Sequence, residues 1–224
     1  MTAGTFIHKV KQRFRPAVCS AFVVAVTGAG AQAGPRDAGR TFVYECADGA
    51  EFVVRLEQGS AWVFAPGKTV HLPPVPAASG SKYAADGAML WAKGPQAILD
   101  IAGRGYRDCR NNPARAIWED AKLRGVDFRA TGNEPGWYLE ISAKTHIHLV
   151  TDYGQTRRSF NAQPPSTDRA ARRTTYTAQD GGHKLSVVIE LGTCRDTMSG
   201  ESFASTVTVH LDGKEFRGCG RALH

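Results

Sequence analysis

The sequence predicts an all-β protein in which a small antiparallel β-barrel is joined by a short helix to a second antiparallel β-domain. Three observations predict this fold class. Short segments in which apolar and polar residues alternate recur along the chain. Turn signals such as Asp48-Gly49 and Asp212-Gly213 separate them. One helical stretch with capping signals interrupts the pattern at Asn112.

The first 33 residues have the features of a signal peptide, with an apolar run at 17–26 and the small-x-small site Ala31-Gln32-Ala33. Four basic residues and no acidic residue precede the run: Lys9, Lys11, Arg13 and Arg15. We expect cleavage before Gly34 and a periplasmic or secreted protein without stable membrane insertion, because the run is too short to span a bilayer. Lipid anchoring at Cys19 is not expected, because Pro16-Ala17-Val18 lacks the small residue that a lipoprotein signal places before its cysteine.

Charge gives little support for a nucleic-acid partner. Residues 1–33 hold four of the 28 basic residues and none of the 21 acidic ones, so their removal lowers the formal net charge from +7 to about +3. The remaining basic clusters, Arg157-Arg158 and residues 169–173, are interpreted as the solvated flank of a hairpin. We therefore expect no nucleic-acid binding.

Four cysteines remain after cleavage, and an oxidising compartment favours their pairing. Three connectivities are possible. Cys46 and Cys109 bracket one β-rich stretch and Cys194 and Cys219 bracket another, so these two pairs are favoured. No CxxC pair occurs, and we expect no metal and no cofactor.

The predicted barrel occupies residues 34–110. Its strands are expected at 41–46, 51–56, 61–65, 68–72, 88–93 and 97–101. Turn signals at Asp48-Gly49, Pro66-Gly67, Asp86-Gly87 and Lys93-Gly94 separate them. A meander of this kind closes into a barrel because closure removes exposed strand edges.

A helical linker is predicted over 111–125. Asn112 can cap the helix, Pro113 suits its first position and Gly125 can end it. We expect the helix at 114–124 to pack against one or both domains through one apolar side, formed by Ile117, Trp118, Ala121 and Leu123.

The second β-domain is predicted over 126–224. Its strands are expected at 137–143, 145–152, 174–178, 184–191 and 205–211, followed by a hairpin into 215–218. Residues 164–173 are expected to form a long polar loop. His146 and His148 lie on one face of a strand with a spacing compatible with metal ligation, but no third ligand is evident, so an exposed or cross-strand-paired couple is favoured.

The most informative motif is Ser79-Gly80 with Tyr83, followed by Trp91-Ala92-Lys93-Gly94. Taken alone, these residues form an ordinary turn and an ordinary hairpin tip. Lying between Cys46 and Cys109, they resemble the family of membrane-bound lysozyme inhibitors of c-type lysozyme, over about residues 40–109.

The resemblance implies a barrel and an inhibitory site built from Ser79, Gly80, Tyr83, Lys93 and Gly94. In this family the serine and the lysine enter the lysozyme cleft and meet its catalytic carboxylates. Tyr83 and Trp91 are interpreted as packing groups that hold the loop. We therefore expect a binding protein, not an enzyme, with c-type lysozyme as its partner. The alternative is an envelope module that binds wall glycan, with peptidoglycan as its partner and no inhibitory activity.

In the second domain, Gly132-Asn133-Glu134-Pro135-Gly136-Trp137 resembles the GNEPxW signature of uncharacterised bacterial envelope domains, which implies no established activity. We favour a turn at Asn133-Glu134-Pro135 with Trp137 as a core anchor. The alternative is a glycan- or peptide-binding groove, or a hydrolase site, in which Glu134 and Asp196 converge beside Trp137.

Overall fold

The computed structural model describes residues 1–2 and 39–224, and residues 39–224 belong to one compact unit. The predicted signal peptide and its cleavage site lie outside the described residues, apart from residues 1–2. Within the described part of the chain, no helix is long and apolar enough to cross a membrane. The predicted fold class is confirmed: two antiparallel β-sheets are connected by one short helix.

The first sheet contains nine strands in the order β4-β3-β2-β1-β9-β8-β7-β6-β5. The strands are β1 (Arg40–Glu45), β2 (Glu51–Glu57), β3 (Ser60–Ala65), β4 (Lys68–Leu72), β5 (Pro74–Val75), β6 (Ser81–Ala85), β7 (Ala88–Lys93), β8 (Gln96–Ile101) and β9 (Arg104–Asn111). The two edges of the sheet meet where the Ala84 amide donates to the Pro73 carbonyl at 3.1 Å. The sheet therefore nearly closes into a barrel.

Alternating residues of these strands fill the barrel. Val54, Val63 and Leu99 are at most 1 % exposed, as the period of two requires of a strand with one buried face. Phe52 stacks on Tyr44 and meets Tyr106 edge to face, with ring centroids 5.2 and 5.5 Å apart. Cys46, the residue directly after β1, is also linked covalently to Cys109 of β9.

The second sheet contains nine strands in the order β13-β12-β11-β10-β18-β17-β16-β15-β14. They are β10 (Val126–Asn133), β11 (Gly136–Ser142), β12 (His146–Thr151), β13 (Thr156–Asn161), β14 (Ser166–Asp168), β15 (Arg173–Asp180), β16 (His183–Arg195), β17 (Ser202–Leu211) and β18 (Lys214–Ala222). A 3₁₀ turn at Asp152–Gly154 precedes β13. The Gln163 amide donates to Thr177 at 3.0 Å and draws the two edges together. The disulfide Cys194–Cys219 is the second favoured pair.

Helix α1 (Pro113–Leu123) begins as the cap residues predict, because the Asn112 side chain accepts from the Arg115 amide at 3.1 Å. Its predicted apolar side is wrong at two positions. Trp118 and Ala121 are buried, but Ile117 is 52 % and Leu123 36 % exposed.

The reason is that α1 packs between two surfaces. Trp118 packs on Phe203 of β17 with ring centroids 5.0 Å apart. On the first sheet, Thr41 donates to Asp120 at 2.8 Å. These two contacts set the rotation of the helix and leave Ile117 in solvent.

The predicted polar loop at 164–173 is also incorrect in part. Residues Ser166–Asp168 form strand β14, which pairs with β15 through Thr167 and Thr174. Every residue of β14 is exposed, so no apolar alternation in the sequence marks it as a strand.

Candidate functional site

The antiparallel order of the strands places the two candidate loops at one end of the first barrel. Strand β5 ends and β6 begins at the same end at which β7 turns into β8. Helix α1 also starts there, since the Asn111 amide donates to the carbonyl of Pro95 in the β7–β8 turn at 2.8 Å. The Ser79 loop, the Lys93 turn and the start of α1 are therefore neighbours.

Gly80 brings the Ser79 loop into contact with the end of β7. Its φ of +68° lies in the left-handed region that favours glycine. A Cβ at this position would lie 2.4 Å from the Ala92 carbonyl oxygen and 3.2 Å from the Lys93 Cβ. The turn thus lies directly on the backbone that carries Lys93, and no larger residue fits there.

Trp91 holds this loop from the other side. Its indole Nε1 donates to the Ser79 carbonyl oxygen at 2.8 Å, and the side chain is 37 % exposed. At the hairpin tip, Gly94 has a φ of +57°, which lets the chain reverse immediately after Lys93. The two loops consequently form one connected edge.

The polar groups of this edge are available to a partner. Ser79 and Lys93 are both exposed. Among the described residues, no carboxylate lies within ion-pair distance of the Lys93 ammonium. A cavity of about 160 Å³ lies beside Lys93, between Trp91, Ile98 and Cys109. The edge can therefore offer one cation and one hydroxyl next to a small recess that Gln96 and Asp108 also line.

Tyr83 lies below the edge and packs partly buried against the barrel core. It neighbours Tyr44, and burial together with the charge of Tyr83 raises the pKa of Tyr44 to about 12. Both tyrosines line a cavity of about 170 Å³ whose rim includes Gly80 and Gly94. Tyr83 thus supports the two loops from beneath.

The candidate residues of the second sheet are only partly brought together. Glu134 and Asp196 line one cleft of about 300 Å³. Trp137 is 3 % exposed and its Nε1 donates to the Arg217 carbonyl at 3.3 Å, so it is a core residue and offers no aromatic platform.

Asp196 is occupied by its own turn. One carboxylate oxygen accepts from the Met198 amide at 3.0 Å and from the Ser199 amide at 2.7 Å, and the other accepts from the Asn133 side chain at 2.9 Å. The Ser199 amide contributes most to holding the pKa of Asp196 below its usual value. The carboxylate therefore shapes the loop, and the hydrolase interpretation gains no second free carboxylate.

The two histidines are paired across strands. The Nδ1 atom of His146 contacts Asn161 at 3.1 Å, and the Nδ1 atom of His148 contacts Ser159 at 3.2 Å. Both histidines lie on β12 and both partners on β13. Within residues 1–2 and 39–224, no group of three metal-ligating side chains occurs.

A cluster of charged side chains where helix α1 meets the two sheets, called the joint below, was not identified from the sequence. Arg124 donates to Asp120 and to Glu140, both at 2.8 Å, and Glu140 also contacts Arg129. Arg55 of the first sheet donates to Asp120 at 3.1 Å. The cluster thus connects β2, α1 and the second sheet.

The cluster lines a cleft of about 600 Å³. Burial alone would raise the pKa of Asp120, but hydrogen bonds from Arg124 and Thr41 and the nearby cations lower it below its usual value. The only sign of this cluster in the sequence is that Glu140 lies between two apolar residues, Leu139 and Ile141 of β11. That sign is weak, because the alternation of a strand would place Glu140 on the solvent face.

Comparison with known proteins supports the resemblance seen in the motif. No curated protein and no solved structure matches the chain. One segment of the chain does match the model of a known protein family. It runs from the end of β1 into β9 and includes the Ser79 loop and Lys93. Residues 44–108 match the model of the family described as membrane-bound lysozyme-inhibitor of c-type lysozyme.

Proposed function

We propose that this protein is a periplasmic inhibitor of c-type lysozyme that inserts the Ser79 loop and the Lys93 turn into the active-site cleft of the enzyme. One observation carries the proposal. Within the matched segment, the Ser79-Gly80 turn packs on the strand end that bears Lys93. One connected edge therefore carries a hydroxyl and an ammonium that pairs with no carboxylate of residues 39–224.

The chemistry of the target explains why such an edge inhibits. A c-type lysozyme cleaves glycan with one protonated and one ionised carboxyl group. The Lys93 ammonium would pair with the ionised carboxylate and lower the proton affinity of the other. The Ser79 hydroxyl can donate to one carboxyl group and accept from the other. The substrate is excluded, and the catalytic acid can no longer deliver its proton to the glycosidic oxygen.

The matched family is named for inhibition, which supports a binding role over a catalytic one. The periplasmic location is supported by the signal-peptide pattern of residues 1–33 and by two disulfides, which persist in oxidising compartments. Secretion beyond the cell would satisfy the same pattern.

The test is a titration of a c-type lysozyme with residues 34–224, measured as lysis of cell-wall substrate. A charge-assisted hydrogen bond contributes about 1.5–3 kcal/mol, so Lys93→Ala should weaken inhibition by about one to two decades. Ser79→Ala should weaken it less, because the bond that it removes starts from a neutral donor.

Lys68→Ala is the matched control. Lys68 is also an exposed lysine beside a hairpin turn, but the β3–β4 turn lies at the opposite end of the barrel. Equal inhibition by the parent, Lys93→Ala and Lys68→Ala chains would refute the mechanism. A parent chain that does not inhibit but sediments with insoluble peptidoglycan would show a wall-binding module instead.

A further inference from the structure

We infer that residues 126–224 are a diverged second copy of the first barrel, and that Glu190 takes the position of Lys93 in that copy. The first support is topological. Adding nine to every strand number of the first sheet reproduces the strand order of the second. Every pairing in both sheets is antiparallel.

The second support is a sequence pattern at the last hairpin of each sheet. Residues 103–109 and 213–219 share a glycine, an aromatic residue, an arginine and a cysteine at the same spacing. The aromatic residues, Tyr106 and Phe216, are 2 % and 6 % exposed. Cys109 and Cys219 each form a disulfide, but with partners at different places: Cys46 directly follows β1, whereas Cys194 lies in β16. The shared feature is therefore the position of the cysteine in the last strand.

The backbone of these two hairpins is also alike. In each, a non-glycine residue with positive φ precedes a glycine with positive φ: Ala102 (+52°) before Gly103 (+76°), and Asp212 (+51°) before Gly213 (+83°). The same turn also occurs at Gln58-Gly59 and Asp86-Gly87, so it agrees with duplication, while the strand order and the shared residue pattern carry the inference.

Strand register then identifies the equivalent of Lys93. Tyr83 of β6 pairs with Leu90 of β7, and Tyr176 of β15 pairs with Val187 of β16. Both tyrosines pack partly buried on the core of their own sheet. Lys93 lies three residues after Leu90, and the residue three after Val187 is Glu190.

By the same register, Gly80 corresponds to Arg173. Arg173 and Glu190 are paired in the sheet, and the guanidinium donates to the Glu190 carboxylate at 2.9 and 2.7 Å. The first copy thus offers a cation that no carboxylate of the described residues pairs with, whereas the second offers a carboxylate neutralised by a neighbouring arginine. Because Arg173 already pairs with Glu190, the second copy offers no available cation to the two carboxyl groups of the lysozyme cleft, and we expect no binding there.

This inference rests on the proposed function. It implies that Lys93 allows the first copy to bind lysozyme and that Glu190 at the equivalent position prevents the second copy from doing so. The chain should therefore bind one lysozyme. Calorimetric titration of residues 34–224 with a c-type lysozyme should give one lysozyme per chain. The triple variant Arg172→Ser, Arg173→Gly, Glu190→Lys, which copies Ser79, Gly80 and Lys93, should gain a second site.

Glu215→Lys is the matched control, because Glu215 is also a half-exposed glutamate paired with an arginine, Arg217. It makes the same glutamate-to-lysine change away from the edge and should leave one site. Thermal unfolding checks that each variant is folded.

Two sites in the parent, one site in the folded triple variant, or two sites in Glu215→Lys would overturn the inference while leaving the inhibitor proposal intact. A parent that binds no lysozyme would overturn both.

Discussion

Replacing Glu140 with glutamine should lower the free energy of unfolding much more than the removal of an exposed carboxylate such as Glu215. The Glu140 side chain is 7 % exposed and that of Arg129 is 10 % exposed. The Arg129 Nε has no hydrogen-bond partner among the described residues. In Glu140→Gln the Arg129 charge would therefore remain buried without its counter-ion.

The size of the effect follows from this burial. Removing one partner of a buried ion pair costs about 3–5 kcal/mol, and glutamine keeps one acceptor, so we expect about 3 kcal/mol. Glu215→Gln provides the comparison, because Glu215 and its partner Arg217 are 42 % and 74 % exposed. An exposed pair of this kind contributes much less, because water screens both charges.

Urea unfolding followed by tryptophan fluorescence measures both variants, since Trp118 lies 5.7 Å from the Arg129 guanidinium carbon. The double variant Arg129→Met/Glu140→Leu separates a buried charge from a lost contact: it should be more stable than Glu140→Gln, because no charge is left unpaired. Equal losses of unfolding free energy in Glu140→Gln and Glu215→Gln would refute the reasoning.

Two further predictions concern the loops. Gly80→Ala should lower the melting temperature and weaken inhibition more than Gly94→Ala. Both glycines have positive φ, but an added Cβ would lie 2.4 Å from the Ala92 carbonyl oxygen at Gly80, whereas nothing lies within 4 Å of it at Gly94. Equal effects of the two substitutions would show that the close packing of Gly80 is unimportant. The pKa of Asp196 is lowered in the folded state, chiefly by the Ser199 amide, so its stabilisation is present above its unfolded pKa of about 3.9 and is lost as the pH falls through the folded pKa. Asp196→Asn should therefore be less stable than the parent at neutral pH, with a difference that narrows in acid; a difference independent of pH would contradict the assignment to the ionised carboxylate.

Most of the first barrel could be predicted because most of its strands have one buried face. In β2, Phe52 and Val54 are buried while Glu51 and Arg55 are not, which is the alternation that the sequence displays. Strand β6 has no such pattern: none of its five residues is fully buried. Its existence depends on pairing with β7, which local sequence does not encode.

The rotation of α1 could not be predicted for a related reason. Periodicity identifies an apolar side, but the side that becomes buried depends on which surfaces the helix meets. Here Trp118 packs against Phe203, a residue far along the chain, and Ile117 remains exposed. The same holds for the joint, where Glu140 is buried only because Arg124 and Arg129 approach it from different elements.

The residue types of the candidate site were predictable, but their contacts were not. Ser79, Gly80 and Lys93 were singled out by the resemblance to the inhibitor family, because turn chemistry alone does not distinguish them from ordinary turn residues. The fit of Gly80 against Ala92 and the bond from Trp91 to Ser79 require the register between β6 and β7.

The alternation of strand directions also gives the first barrel two unequal ends. The turns at Asp48-Gly49, Pro66-Gly67, Asp86-Gly87 and Gly103 all lie at the end away from Ser79 and Lys93. Strand β3, with six residues, separates Pro66-Gly67 from the other end by about 20 Å. Insertions, fluorescent labels or surface tethers placed at these turns therefore leave the opposite end free, and sequence drift among related chains should concentrate there.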